Sequence, residues 1–120
     1  MYNSTLQNII LLNGIYDILC AFSILHVIYV PFLDKIHISM FKECDSNLQR
    51  ILAYWIFTYG MIRLIHYNDF SNGLVSASYC IEAACIFNEG IIHDKIIRPK
   101  CIFVSGSCII LCILCNPSRR

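Results

Sequence analysis

Four charged side chains stand where the sequence leaves little water to solvate them. Asp17, Arg63, Glu82 and Glu89 each fall inside a long apolar run. A charge at the centre of a membrane helix costs at least about 2.5 kcal/mol on insertion scales, so such groups are expected to face inward and pair. Two chemistries are then open. One is a structural ion pair that fixes helix register. The other is a proton or ion relay, because one guanidinium neutralises one carboxylate and leaves the second to exchange a proton or cation. Glu82 and Glu89 are seven residues apart, so a helix sets them on one face with Ser78 and Cys85. That face is expected to point into the bundle, with Glu89 close enough to the cytoplasmic boundary to be wet instead.

The remaining reactive side chains do not assemble a centre. Cys101, Ser105, Cys108, Cys112 and Cys115 recur at alternating four- and three-residue steps. This makes one seam of small side chains, the kind along which helices pack closely in lipid. Cys112-x-x-Cys115 invites a metal or redox reading, yet neither a second cysteine pair nor a neighbouring His supports it. The chain has eight cysteines, and Cys20, Cys80, Cys85, Cys108 and Cys112 sit within apolar runs, where cysteine acts as a small apolar residue. His26, His37, His66 and His93 share no spacing that would build a site. There is no Ser-His-Asp arrangement, Gly-rich phosphate loop or catalytic carboxylate pair. We therefore expect no catalytic residue, no metal and no cofactor, hence no enzyme.

The elements that position these residues follow from composition. The chain has 120 residues, 58% hydrophobic and 14% charged, against about 45–50% and 25% in ordinary soluble domains. So small a domain has too much surface to cover with so few charges; lipid is the expected solvent of the rest. A net charge of +1 gives no electrostatic case for nucleic acid. Four apolar segments appear: Leu6 to Val30, Ile51 to Tyr67, Leu74 to Ile92, and residues 100–115 with Cys101 to Cys115 as their apolar part. The expectation is an all-α integral membrane four-helix bundle forming one transmembrane domain over residues 1–120. Crossing the hydrocarbon takes about 20 residues, so the second and fourth segments must borrow flanking residues.

The connections carry the topology. Pro31–Arg50 is long, and Phe32 to Phe41 within it could lie along the membrane interface as an amphipathic piece. Asn68 to Gly73 is rich in turn formers, making the second and third helices antiparallel neighbours. The first loop holds Lys35, Lys42 and Arg50, and the third holds Lys95, Arg98 and Lys100, while the second holds no Lys or Arg. The positive-inside rule puts loops one and three in the cytoplasm, against the pull of Arg119 and Arg120 in the tail. Asn3-Ser4-Thr5 is a glycosylation sequon on the outer side, expected to be unused so near the membrane. A start without a basic region and a long apolar stretch without a small-residue cleavage site argue against a cleaved signal peptide.

Depth predicts one contact. Mirrored through the turn near Phe70, Arg63 is level with Ala77, five residues or about 7.5 Å from Glu82. Helical side chains lean toward their own N-terminus, which on antiparallel helices closes that gap. An Arg63–Glu82 contact is expected, with Asp17 near enough to compete.

Arg50, Trp55, Ile62-Arg63, Asn72, Ser78-Tyr79 and Glu89 together resemble the endoplasmic-reticulum scaffold family of ergosterol biosynthesis. The likeness lies in an Arg-x4-Trp pattern, an Ile-Arg pair, a short turn with an Asn, and a Tyr ten residues before a Glu. It covers roughly residues 48–90; Glu82 and Cys85-Ile86 depart from the family pattern. The resemblance implies a non-catalytic scaffold that tethers membrane-bound sterol C4-demethylation enzymes at the endoplasmic reticulum. The competing expectation is a small proton or ion transporter, or pore, using Asp17, Glu82 and Glu89.

Overall fold

A computed structural model describes residues 4–117, which are helical apart from their connections and one isolated antiparallel bridge, Phe41 with Ile96. Helix α1 spans Ser4–Ile24, six residues short of the expected end at Val30. Its stop is a Schellman motif: the N–H of Val27 donates to the Phe22 carbonyl (2.9 Å) and that of His26 to Ser23 (3.2 Å), with His26 left-handed at φ 61°. Glycine usually fills that position, so nothing in the sequence announced it.

The first loop folds back on the bundle. It contains the short helix α2 (Leu33–Ile36), entered through a left-handed Phe32, and a 3-10 turn at Ile38–Met40. Its chain then pairs with the third loop, where Ile97 N–H donates to Met40 (2.8 Å) and Lys42 N–H to Lys95 (2.9 Å). The stretch from Phe32 to Phe41 buries Met40 against Ile86, Ile96 and Cys101 and leaves Phe32 and Ile36 exposed.

Helix α3 spans Ser46–His66 and begins earlier than the apolar run at Ile51, because the Asp45 carboxylate caps it by accepting from Leu48 N–H at 2.8 Å. The following turn is held by Asx bonds, Asp69 to Ser71 N–H and Asn72 to Leu74 N–H, each 3.0 Å. Gly73, left-handed at φ 74°, leads into α4, Leu74–Phe87, which runs on as a π-helical turn over Asn88–Ile92. Helix α5 spans Arg98–Leu114 with Pro99 in its first turn, where a missing N–H costs nothing.

Helix α1 packs chiefly on α3 and α4 on α5, while α3 and α4, though joined by the short turn, touch less. The α1–α3 crossing is close because Gly14 meets Gly60: a Cβ on Gly14 would lie 3.0 Å from Leu64 N and 3.1 Å from Gly60 O. At the other pair, Gly90 in the π turn leaves the room that Cys101 occupies. Near the turn, Ile10 joins Phe70, Val75, Tyr79, Cys108 and Cys115 in one core, so the bundle is closed at that end. Toward loop one, α1 and α3 keep their own core of Cys20, Ala21, Ile24, Leu52, Ala53 and Ile56.

Two helical stretches, Ser4–Ile24 and Leu74–Ile92, are long and apolar enough to cross a membrane. Helix α5 has only 17 residues. Helix α3 has 21 but spends its first turns on Ser46, Asn47, Gln49 and Arg50.

Candidate functional site

At mid-bundle the structure brings Arg63, Glu82 and Asp17 together. Arg63 on α3 is the largest fully buried side chain, 2% exposed. Its Nη1 donates to Asp17 Oδ2 on α1 (2.7 Å) and to Asn13 Oδ1 (3.0 Å); its Nη2 donates to Glu82 Oε1 on α4 (2.5 Å). Nε donates to Ser78 Oγ at 3.2 Å. The guanidinium lies 3.8 Å from the centre of the Tyr79 ring and 5.2 Å from that of Tyr59, a cation–π pairing that strengthens where water is excluded.

Three helices therefore converge on one cation. One member of the network was missed, and so was His37, which lines the cavity beside it without bonding to it. Asn13 lies one turn before Asp17 on the same face of α1, and its Oδ1 also accepts from Tyr79 Oη at 2.6 Å. That four-residue spacing was the available signal. His37 carried none, since its approach depends on the fold-back of loop one, where its ring comes within 5.8 Å of Tyr16.

The network lines a cavity of about 580 Å³ whose walls come from all four long helices and loop one. Leu52, Trp55, Ile56 and Ile86 form much of its apolar lining, and Phe103, Ser107 and Leu111 of α5 face it from the side opposite Tyr16 and Asp17 of α1. Trp55 stacks edge-on against Tyr59, 4.9 Å between centres. Within this lining, Tyr59 Oη has only the Trp55 indole beside it and nothing to accept its proton, and His37 Nδ1 has no hydrogen-bond partner.

Glu89 does not join the cluster. It is exposed and borders a separate cavity of about 510 Å³ with Glu43, Asp45 and Lys95. Of the face expected to unite Ser78, Glu82, Cys85 and Glu89, Ser78 is buried, while Cys85 and Glu89 are exposed and line this second cavity. Drift of the face over seven residues is only about 20°; the exposure comes from depth, because at this level a cavity that Leu52 and Trp55 also line stands between α4 and α3. Of the residues carrying the family likeness, Trp55, Arg63 and Tyr79 share the first cavity. Arg50 lies outside it, exposed, donating to Asn47.

The small-residue seam of α5 faces α4. Cys101, Ser105, Cys108 and Cys115 are buried and Cys112 partly so. Cys101 Sγ donates to Ile86 O (3.3 Å), and Ser76 Oγ donates to Cys112 O (2.8 Å). All eight cysteines are free thiols, and among the described residues no three metal-ligating side chains come together. Asn3 of the sequon and the tail arginines Arg119 and Arg120 lie outside the described residues. No family model, curated protein or solved structure matches this chain.

Proposed function

We propose that this chain is a multi-pass membrane protein with all four long helices in the bilayer, acting as a non-catalytic scaffold for membrane-bound enzymes. The observation that carries the reading is the division of charge. The buried cation is fully engaged inside, whereas every long helix turns large apolar side chains outward. Leu12 is 65% exposed, Ile51 62%, Ile81 51% and Phe103 74%. An apolar exterior on four sides is what acyl chains solvate and water does not. Loops one and three emerge at the same end, joined by the Phe41–Ile96 bridge, and present the basic residues expected on the cytoplasmic side.

Scaffolding needs contact surfaces and no reactive centre, and the network around Arg63 serves register. Sterol C4-demethylation enzymes at the endoplasmic reticulum are the partners that the Arg50, Trp55, Arg63, Tyr79 and Glu89 likeness suggests. Two measurements test the proposal. The protein should stay with membranes through carbonate extraction, and a sequon on a spacer at Asn72 should be glycosylated in microsomes while one at Lys95 is not. Release by carbonate, or modification at both positions, overturns the membrane reading. Crosslinking in native membranes should then recover sterol C4-processing enzymes; their absence across several detergents removes that partner class.

A second reading is supported by the buried network, in which two carboxylates, Asp17 and Glu82, share the one guanidinium of Arg63. Proton or cation flux into liposomes that vanishes with Glu82→Gln would replace the scaffold by a transporter.

A further inference from the structure

We infer that the cavity between α1 and α5 is a binding site for an uncharged lipid carrying a single hydroxyl head. Its volume of about 580 Å³ falls within the usual range for small-molecule sites, about 300–1,000 Å³. Its lining is apolar along Leu52, Ile56, Ile86 and Phe103, so an apolar body gains by entering. Phe103 is 74% exposed and Ser107 partly so, which leaves the α5 side as the entry. In the membrane reading, on which only this entry route depends, a lipid reaches the site laterally.

The head group is set by what the lining leaves unsatisfied. Tyr59 is 6% exposed; the Trp55 indole N–H is turned to its hydroxyl oxygen but nothing accepts its proton, and His37 Nδ1 in the same lining has no partner. Buried polar atoms without partners cost about 1–3 kcal/mol each, and folded proteins retain few. A hydroxyl both donates and accepts, so it suits either the phenol or the imidazole of this lining. Charged heads fare worse. An anion finds no free cation at the inner end, because Arg63 already makes four hydrogen bonds to Ser78, Asn13, Asp17 and Glu82 and two carboxylates repel it. A cation must pass Lys100 at the rim.

The test uses the purified full chain in detergent micelles, with photoreactive diazirine analogues of hexadecanol, hexadecanoate and hexadecylamine at equal concentration. We expect the alcohol to label several-fold more than the acid or amine, with adducts in residues 99–111 of α5 or 13–17 of α1. Excess unlabelled hexadecanol should compete. Tyr59→Phe, which keeps the ring, should reduce alcohol labelling at least fivefold, while Tyr54→Phe on the exposed face should not. Ser107→Trp should fill the cavity and abolish the signal while elution volume stays unchanged. Adducts spread over outward faces, preference for the acid or amine, or no labelling above an unrelated membrane protein would overturn the site and leave water as its occupant. Each outcome is read in micelles and is separate from the carbonate and glycosylation results.

Discussion

Arg63 is held by more than its charge. Two carboxylates, an amide and a hydroxyl accept from it, and a tyrosine ring covers its face at 3.8 Å. Removing it would strand Asp17 and Glu82 in a site with nothing to replace it. Breaking a buried ion pair by deleting one partner typically costs roughly 3–5 kcal/mol. Arg63→Leu should accordingly lower accumulation and thermal stability by that order. Arg50→Leu, which loses only an exposed bond to Asn47, should change stability by less than about 0.5 kcal/mol. Equal accumulation of the two variants would remove the pair from the account. This contact could be read in the sequence because charges in apolar runs are rare and their depths can be compared across a short turn. Asn13 was marked only by its four-residue spacing from Asp17, and Tyr59 not at all, since a neutral polar residue in such a run has several ordinary explanations and only the fold shows that nothing accepts the Tyr59 proton.

At the scale of elements, the four apolar segments each hold a helix, but their ends follow local chemistry that hydropathy does not report. Helix α1 stops at Ile24 because His26 takes the left-handed turn, and α3 starts at Ser46 because Asp45 caps it. The pairing of helices was harder still. A short turn made α3 and α4 neighbours in sequence, yet the close crossing is α1 with α3, where glycines let backbones approach. Gly14→Ala should therefore destabilise, because the added methyl would meet the Leu64 amide at 3.0 Å and the Gly60 carbonyl at 3.1 Å, backbone atoms that cannot turn aside. Overpacking of this kind costs about 1–3 kcal/mol. Gly106→Ala on α5 meets nothing within 4 Å and should be neutral or stabilising by up to about 1 kcal/mol, the difference in helix propensity. Thermal unfolding of both variants in one detergent decides the matter; a loss at Gly106 as large as at Gly14 would mean that the crossing is not the cause.

The whole molecule joins its two basic loops into one cap over the open end of the bundle. Backbone pairing links them through Phe41 and Ile96, and Lys42 Nζ adds an ion pair with Asp94 at 2.7 Å. That contact, chiefly its hydrogen bond, holds the Asp94 carboxyl below its usual value, so Asp94 stays ionised through the neutral and mildly acid range. His37 sits beneath the same cap, and burial lowers its pKa from 6.5, outweighing the attraction of Glu82; Arg63 pushes the same way as burial. The folded chain thus binds fewer protons at this position than the undocked loop would. The contribution of neutral His37 to docking is fully present above pH 6.5 and is lost as the pH falls through the lowered value. Trp55 is the sole tryptophan and packs beside Met40, Ile86 and Ile96 under the cap, so its emission reports the event directly. Acidification from pH 7.5 toward 5 should shift Trp55 emission to the red in the wild-type protein, with a midpoint below 6.5. His37→Leu, which has no proton to gain, should hold its emission constant over that range. A red shift that persists in His37→Leu would assign the pH response to another group and leave the cap insensitive to acid.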